Sequence, residues 1–413
     1  MYKYLVTGIV VLFFSSFSLT GQNLITLDEA IKTAWNKNPE INIFKSKLEQ
    51  KSIEWKMHLG LKDPVAGYAR EGMSAIDPEP FDEQRLEIKQ ELSFPLTSYL
   101  YIRSLKEEKS AMELELKVLK NKIKLNVKRN YIDVLYAIYL ENLRKEELKL
   151  ARELYEAVKL RKESGASTEM DLLQAELNLS EASNRINDAD RTLHNARYAL
   201  FNSMGLLPSE QSYEIDFQDS LRTREDLIDQ EEALNTLENQ PEYISKTLLI
   251  ESQESRIKAA KSEFLPDISI GYLRQDFGTG YSFNGIEGGL SIPIWGALKQ
   301  KGGIEKEKMK KNEIQWNQTT TLLDLKKRIE FAWHSYENSK VILERFNSDM
   351  RLKAEKLQAL SLEAYRLGQL DLLKLIEAQR IYLRGQERYL TSVHDYYLRL
   401  AELEYFMESD LVF

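Results

Sequence analysis

The chain has 413 residues, of which 57 are basic and 65 acidic, and it contains no cysteine. The absence of cysteine excludes disulfide frameworks, thiolate metal sites and cysteine nucleophiles. The net charge of −8, with Lys and Arg interleaved with Glu as in residues 145–163, argues against nucleic-acid binding, which needs clustered cations.

The N-terminus has the order of a secretory signal peptide, which we predict at residues 1–21. Lys3 precedes an apolar run from Leu5 to Phe14, and small and polar residues follow up to Gly21. The alternative is an N-terminal anchor helix, although the apolar run is short for a membrane span. Export without cysteine favours a bacterial envelope protein.

The rest of the chain repeats one order of motifs at a spacing of roughly 200 residues, which indicates an internal duplication. Four pairs of anchors keep their order: Asn38–Glu40 with Gln240–Glu242, 60–70 with 264–274, 91–96 with 289–294, and Gly165–Ala175 with Gly368–Ala378. We therefore predict a first structural repeat over 22–222 and a second over 223–413. Each repeat should contain a short helix, two strands and a long helical hairpin.

The predicted strands are segments in which apolar and polar residues alternate, at about 65–73, 85–96, 267–277 and 285–296. In the second of these, Leu86 and Ile88 fall on one face and Glu87 on the other. In the third, Arg274 and Asp276 continue the apolar face, so its outer end should leave the apolar zone. About ten residues suffice for a tilted strand to cross a bilayer.

The predicted helical arms, 97–162 and 299–366, contain no proline, and each could run for ~100 Å, continuous or with one break. From Leu322 to Leu367, apolar residues recur at steps of three and four, which predicts a coiled-coil-like seam. The hairpin tips are expected at 163–168 and 366–371, where a glycine can cap one helix before the antiparallel return.

Four strands present a physical problem if they lie in a bilayer. Strands are tolerated there only in a closed barrel, and four cannot close around a useful lumen. Three copies would supply twelve strands, with the helices continuing the tube on one side. We therefore predict a mainly α fold with a small transmembrane β part. Its homotrimer would form a coiled-coil α-barrel and a 12-stranded β-barrel.

The sequence resembles the TolC-like outer membrane efflux channel family, the outer membrane factors of tripartite pumps. The resemblance rests on TLDEAIKTAWNKNPEI (26–41), FLPDISIGY, GLSIPIW and the tip segments ESGASTEMDLLQAELNL and YRLGQLDLLKLIEAQRIYL. The segment GLKDPVAGY departs from the usual pattern, since Lys62 stands where proline is common.

This resemblance implies a passive exit duct in the outer membrane, with its helical barrel in the periplasm and outer membrane lipid around the strands. It also implies a periplasmic adaptor (membrane fusion protein) and an inner-membrane transporter, which we take to be of the resistance-nodulation-division type. One alternative is a channel of the same family for protein secretion. Another is a periplasmic coiled-coil adaptor or scaffold, which would show one hairpin and no paired amphipathic strands.

The resemblance also implies a periplasmic gate near the tips. Asp171 and Tyr365 match a polar network that closes the family's entrance, and Glu377 matches one of two acidic ring positions. The other ring position is Lys374 here, and Leu370 replaces an arginine, so the double ring is not copied. The alternatives are that Lys374 and Glu377 are solvated helix charges and that Asp171 is a helix cap or a surface residue.

Adaptor docking is expected at the tips themselves, on Ser164, Gly165, Arg366, Leu367 and Gly368. For Leu367 the alternative is packing against the return helix. Other chemistry is not indicated by the sequence. The four histidines stand apart from one another, and GxSxG, Walker A and Rossmann motifs do not occur. We expect no metal, no cofactor and no enzyme activity.

Overall fold

The computed structural model describes most of the chain after the predicted signal peptide. The described residues are 24–72, 81–207, 216–217, 230–278, 280–295, 298–346 and 351–407. The predicted signal peptide, 1–21, lies outside the described residues.

Helices dominate the described part of the chain, and six strands complete it. The helices are α1 (Leu27–Lys37), α2 (Pro39–Ile53), α3 (Pro95–Glu163), α4 (Glu169–Ser203), α5 (Gln230–Leu234), α6 (Pro241–Ser262), α7 (Lys299–Arg345), α8 (Arg351–Arg366) and α9 (Leu372–Met407). The strands are β1 (Leu24–Ile25), β2 (Val65–Glu71), β3 (Glu83–Leu92), β4 (Asp216–Phe217), β5 (Asp267–Phe277) and β6 (Tyr281–Ser291). The predicted fold class, mainly helical with four long strands per chain, is confirmed.

The four long strands form one antiparallel sheet in the order β2-β3-β5-β6. The central pair, β3 and β5, comes from the two predicted repeats, so the sheet joins both halves of the chain. In one row Ile88 lies opposite Tyr272, which lies opposite Ile286. Among the residues that the structure describes, β2 and β6 each have a strand partner on one side only.

This register gives the sheet an apolar face and a polar face. The apolar face carries Ile88, Tyr272 and Ile286, and it is exposed: Ile286 is 85% accessible. On the polar face, Arg85 Nη2 lies 3.0 Å from Glu87 Oε2 and 3.1 Å from Glu287 Oε1. The apolar face also holds Arg274 and Asp276 at its outer end, as predicted.

Two strands end earlier than predicted. The strand expected at 85–96 ends at Leu92, because Pro95 occupies the first turn of α3, where its missing N–H costs nothing. The strand expected at 285–296 runs from Tyr281 to Ser291. Its early start follows the tight turn at Gly280, whose φ of +86° suits glycine.

The helices are long, and α3 runs unbroken for 69 residues, ~100 Å at the rise of an α-helix. Its middle packs against α9 around a core that includes Tyr131, Tyr396 and Leu400. Along the predicted second arm, α7 and α8 are separate helices. Among the described residues, none of the helices combines the length and apolar character needed to span a membrane.

The predicted seam is buried against the chain's own helices from Leu325 to Leu343. Met350 lies outside the described residues, and the part of the seam in α8 stays a prediction. In α8 the buried residues are Ala354, Ser361 and Tyr365. The predicted seam residues Leu357, Leu360 and Leu367 are 41%, 56% and 67% exposed. Helix α8 therefore carries two apolar stripes. The stripe of small and aromatic residues lies against the chain's own helices, whereas the leucine stripe faces outward.

A buried ion pair holds α3 to α9. Lys128 and Glu404 are each 3% exposed, and their side chains are in direct contact. We predict that Glu404→Gln destabilises the protein by about 3–5 kcal/mol, because it leaves a buried ammonium without its carboxylate. Thermal unfolding of the purified protein measures the effect. The matched control is Lys326→Gln in the exposed pair with Glu330, where a loss under about 1 kcal/mol is expected. Equal losses in the two variants would contradict the prediction.

Candidate functional site

Both hairpin tips use the same backbone turn. At the first tip, the N–H of Gly165 donates to Lys162 O at 2.9 Å and the N–H of Ala166 to Arg161 O at 2.7 Å. At the second tip, the N–H of Gly368 donates to Tyr365 O at 3.0 Å, and the N–H of Gln369 donates to Ala364 O at 2.8 Å. Both glycines have positive φ, 76° and 73°. This is the Schellman ending of a helix, which satisfies its last carbonyl groups.

The return helix at the first tip begins with a capping box that uses Asp171. The N–H of Asp171 donates to Thr168 Oγ1 at 3.1 Å, and the N–H of Thr168 donates to Asp171 Oδ2 at 2.9 Å. Within the chain, therefore, Asp171 acts as a helix cap. Its carboxylate accepts from the N–H and the hydroxyl of Thr168, which precedes α4.

Lys374 occupies the equivalent position at the second tip, the third residue of α9. Its N–H donates to Asp371 Oδ1 at 2.9 Å, and its Nζ lies 3.3 Å from Asp371 Oδ2. The hydrogen bond from the Lys374 backbone, assisted by the Lys374 side chain, holds the pKa of Asp371 below its ordinary value of 3.8. The acid at the first tip, Asp171, is the third residue of its helix, whereas the acid at the second tip, Asp371, is the N-cap residue.

Tyr365 lies in a small core that closes the tip. Its side chain is 6% exposed and packs with Leu154, Val158 and Leu375. The guanidinium of Arg161 stacks on its ring at 4.9 Å from the centroid, and Arg161 Nη1 donates to Tyr365 O at 3.2 Å. The buried Tyr365 hydroxyl makes no hydrogen bond with any described residue.

The structure therefore does not bring Asp171 and Tyr365 together within one chain. The carboxylate of Asp171 caps its own helix, and the hydroxyl of Tyr365 has no hydrogen-bond partner among the described residues. Lys374 and Glu377 are exposed helix charges, with side chains 70% and 53% accessible, and Glu377 lies 3.7 Å from Arg380. A ring or a network at these positions would need more than one copy of the chain, and it stays a prediction.

The five predicted docking residues are all exposed at the tips. Leu367 is 67% accessible, so the alternative that it packs on the return helix is wrong. Ser164 donates its hydroxyl to Arg161 O at 2.9 Å, which fixes the end of α3. Arg366 and Gly368 are exposed beside Leu367, and Gly165 is exposed at the other tip. Their role in docking stays a prediction.

One polar cluster was missed by the sequence reasoning. Arg144 donates to Glu147 Oε2 at 2.9 Å and lies 2.7 Å from Glu387 Oε1, while Arg185 donates to Glu147 Oε1 at 2.8 Å. The cluster joins α3, α4 and α9. Burial alone would lower the pKa of Arg144, but Glu387 and Glu147 raise it above its ordinary value. Glu147 lies in the segment 145–163, where basic and acidic residues are interleaved, yet it is only 8% exposed.

The histidines supply no metal site in the part of the chain that the structure describes. There, no three His, Asp or Glu side chains converge closely enough to hold a metal ion. His394 is nevertheless not isolated, since its Nε2 lies 2.6 Å from Asp133 Oδ1. Its ring is tilted against Tyr136, with the centroids 4.6 Å apart. This contact joins α3 to α9 and is structural.

Comparison with known proteins agrees with this geometry. Residues 103–206, which include most of α3 and all of α4, match the family model of outer membrane efflux proteins. The resemblance seen in the sequence is thereby confirmed. No curated protein matches the chain by sequence.

Solved structures of outer membrane channels share the fold over most of the chain. The outer membrane protein VceC of Vibrio cholerae is 14% identical, with 92% of this chain and 95% of that chain covered and a TM-score of 0.77. The CmeC channel of Campylobacter jejuni is 18% identical, with 92% and 85% covered and a TM-score of 0.75. The open state of the MtrE channel of Neisseria gonorrhoeae is 16% identical, with 92% and 88% covered and a TM-score of 0.73. At these identities the likeness establishes that the chain shares the fold of these structures.

Substitutions of the tip glycines test the effect of backbone conformation on stability, because an added Cβ would not clash with any described atom. A Cβ built on Gly165, Gly368 or the helical Gly302 meets nothing within 4 Å, but only the two tip glycines have positive φ. We predict that Gly165→Ala and Gly368→Ala each cost about 1–2 kcal/mol from the left-handed backbone. Gly302→Ala should instead stabilise α7 by about 0.5–1 kcal/mol. Thermal melts of the three variants would contradict this if Gly302→Ala were the most destabilised.

Proposed function

We propose that the chain is one of three identical protomers of an outer membrane exit duct. The duct would conduct small molecules passively from a periplasmic pump of the resistance-nodulation-division type to the exterior. The observation that carries this proposal is the four-stranded sheet, which exposes an apolar face and leaves β2 and β6 unpaired on one side within the chain.

Such a sheet is unstable alone in water or in lipid. Its apolar face favours a hydrocarbon environment, but the unpaired edges would expose backbone polar groups there. Pairing β6 of one copy with β2 of the next satisfies both edges. Three copies then give a barrel of twelve strands whose polar face, with Arg85, Glu87 and Glu287, lines the lumen. The scaffold alternative requires one hairpin and no paired strands, whereas the described chain has two hairpins and a sheet.

The long helices extend from one end of this barrel. With α3 alone spanning ~100 Å, three copies would build a helical tube reaching deep into the periplasm. The predicted signal peptide at 1–21 would direct export. The equal turns at Gly165 and Gly368 support the proposed organisation as two structural repeats, 22–222 and 223–413.

The tips are the proposed contact with a periplasmic adaptor, through which the duct meets an inner-membrane transporter. Leu367 supports this role, because a leucine 67% exposed on a turn gains free energy when a partner covers it. Ser164, Gly165, Arg366 and Gly368 would surround that contact. The duct itself performs no catalytic step, and its energy comes from the transporter.

The proposed gate consists of Asp171, Tyr365, Lys374 and Glu377 near the tips. The buried hydroxyl of Tyr365 makes no hydrogen bond with any described residue of its own chain, and the proposed gate gives it a partner in a neighbouring copy. Opening would then be a population shift, in which the adaptor binds the open state more tightly than the closed state.

Membrane fractionation of the native host, followed by mass measurement of the detergent-extracted protein, tests the proposal. We expect the protein in the outer membrane as a particle of about three chains. A soluble periplasmic monomer would overturn the proposal of a channel and would favour the periplasmic coiled-coil scaffold instead. An outer membrane trimer that exports a polypeptide would support the proposed channel but would contradict the proposed small-molecule substrate.

Single-channel recording in planar bilayers tests the gate. We predict that Glu377→Ala raises the conductance or relaxes a cation preference, because it removes three carboxylates from the tip of the trimer. Tyr365→Phe should also raise the conductance, because it removes the hydroxyl that is proposed to bond a neighbouring copy and that makes no hydrogen bond with the described residues of its own chain. Glu313→Ala, at an exposed glutamate of α7, is the control. Records of Glu377→Ala that match those of the control would reject its place in the gate.

A further inference from the structure

The first turns of α7 are unusually basic. Residues 299–311 contain six lysines and two glutamates. The equivalent opening of α3, residues 95–107, has only Arg103, Lys106 and Glu107. The two helices leave the same end of the sheet, so the excess of positive charge belongs to one of two equivalent positions.

Most of this charge is not neutralised within the chain. Lys310 Nζ lies 3.3 Å from Glu307 Oε1, and Lys311 Nζ lies 2.7 Å from Glu254 Oε1. The other lysines, which we call the basic collar, are exposed and form no ion pair with any described residue; they are Lys299, Lys301, Lys306 and Lys308. Four ammonium groups on one short helical segment repel each other and favour a polyanionic neighbour.

An exposed apolar segment stands immediately before the basic collar. Between the end of β6 and the start of α7, Ile294 is 77%, Trp295 74% and Leu298 79% accessible. These residues continue from the exposed apolar face of the sheet. Trp followed by Lys at the end of an apolar surface is the arrangement that proteins place at the boundary between hydrocarbon and headgroups.

We propose that the basic collar binds anionic phospholipid headgroups at the membrane surface from which α7 emerges. This inference rests on the proposed function, which puts the sheet in the bilayer. At 1.5 Å per residue the four lysines lie within ~14 Å of the start of α7. That distance is comparable with the Debye length of ~8–10 Å, so each lysine contributes to attraction by an anionic surface.

The glycines between the lysines fit this role. A Cβ on Gly302 or Gly303 would meet nothing within 4 Å, so no neighbouring part of the described chain covers the collar there. A flat lipid surface can therefore approach the backbone at this turn. The charge complementarity selects an anionic surface over a neutral one, because a zwitterionic headgroup offers the lysines no net attraction.

The experiment uses the full-length protein in mild detergent, titrated with a fluorescent phosphatidylglycerol or with its phosphatidylcholine counterpart. In the test variant, Lys299, Lys301, Lys306 and Lys308 are all changed to Gln. In the control variant, Lys149, Lys159, Lys327 and Lys356 are changed to Gln. The control lysines are also exposed and form no ion pair with described residues, but they lie far along the helices from the sheet.

We expect the test variant to bind phosphatidylglycerol at least roughly tenfold more weakly at low salt, since each lysine near the surface adds to the affinity. Phosphatidylcholine binding and the control variant should be unchanged, and added salt should erase the difference. Equal phosphatidylglycerol affinity in wild type and test variant would overturn the proposal.

A fall in oligomer mass in the test variant would also overturn it, because the lysines would then hold neighbouring copies together. The failure of this inference is distinguishable from failure of the exit duct. A wild-type outer membrane trimer without preference for anionic lipid rejects the collar alone, whereas a soluble wild-type monomer rejects the duct.

Discussion

The open edges of the four-stranded sheet are the constraint on which the rest of the molecule depends. Within one chain, β2 and β6 leave a row of backbone N–H and C=O groups without strand partners, next to an exposed apolar face. Exposing the apolar face to water is unfavourable, and exposing the unpaired backbone groups of the edge strands to lipid is unfavourable as well. In the proposed barrel, pairing with further copies resolves both. The sheet also sets the positions of α3 and α7, because each helix begins within a few residues of a strand.

Charged contacts align the elements that hydrophobic packing brings together. On the sheet, Arg85 links β3 to β6 through Glu287. Between the helices, the pair of Lys128 with Glu404 and the cluster around Arg144 each fix α9 against α3. Replacing a buried ion pair by apolar residues often costs no stability, but misaligning it leaves an uncompensated charge. These contacts therefore select one register among helices whose apolar surfaces would tolerate several.

Local features were predictable from the sequence, and features that depend on neighbours were not. The tip turns follow from Gly165 and Gly368, and the strands follow from period-two alternation. In α8 periodicity finds an apolar stripe without showing what covers it: within one chain Leu360 is exposed, whereas Ala354 is buried. Glu147 looked solvated beside its charged neighbours, and only the approach of Arg185 from α4 explains its burial. The Tyr365 hydroxyl has no hydrogen-bond partner among the described residues, and the sequence does not foretell this.

The tips show how helix capping limits what a gate can be. The N-terminus of a helix favours negative charge, and both return helices supply it. In α4 the acid is Asp171 at the third position, with Thr168 as the cap; in α9 the acid is the cap, Asp371, with Lys374 at the third position. Each arrangement supplies an acceptor for free N–H groups at the start of the helix. In the second, Asp371 and Lys374 form an ion pair with no net charge. A lysine at this ring position is therefore compatible with the turn, and any negative ring must come from Glu377, one helical turn further along α9.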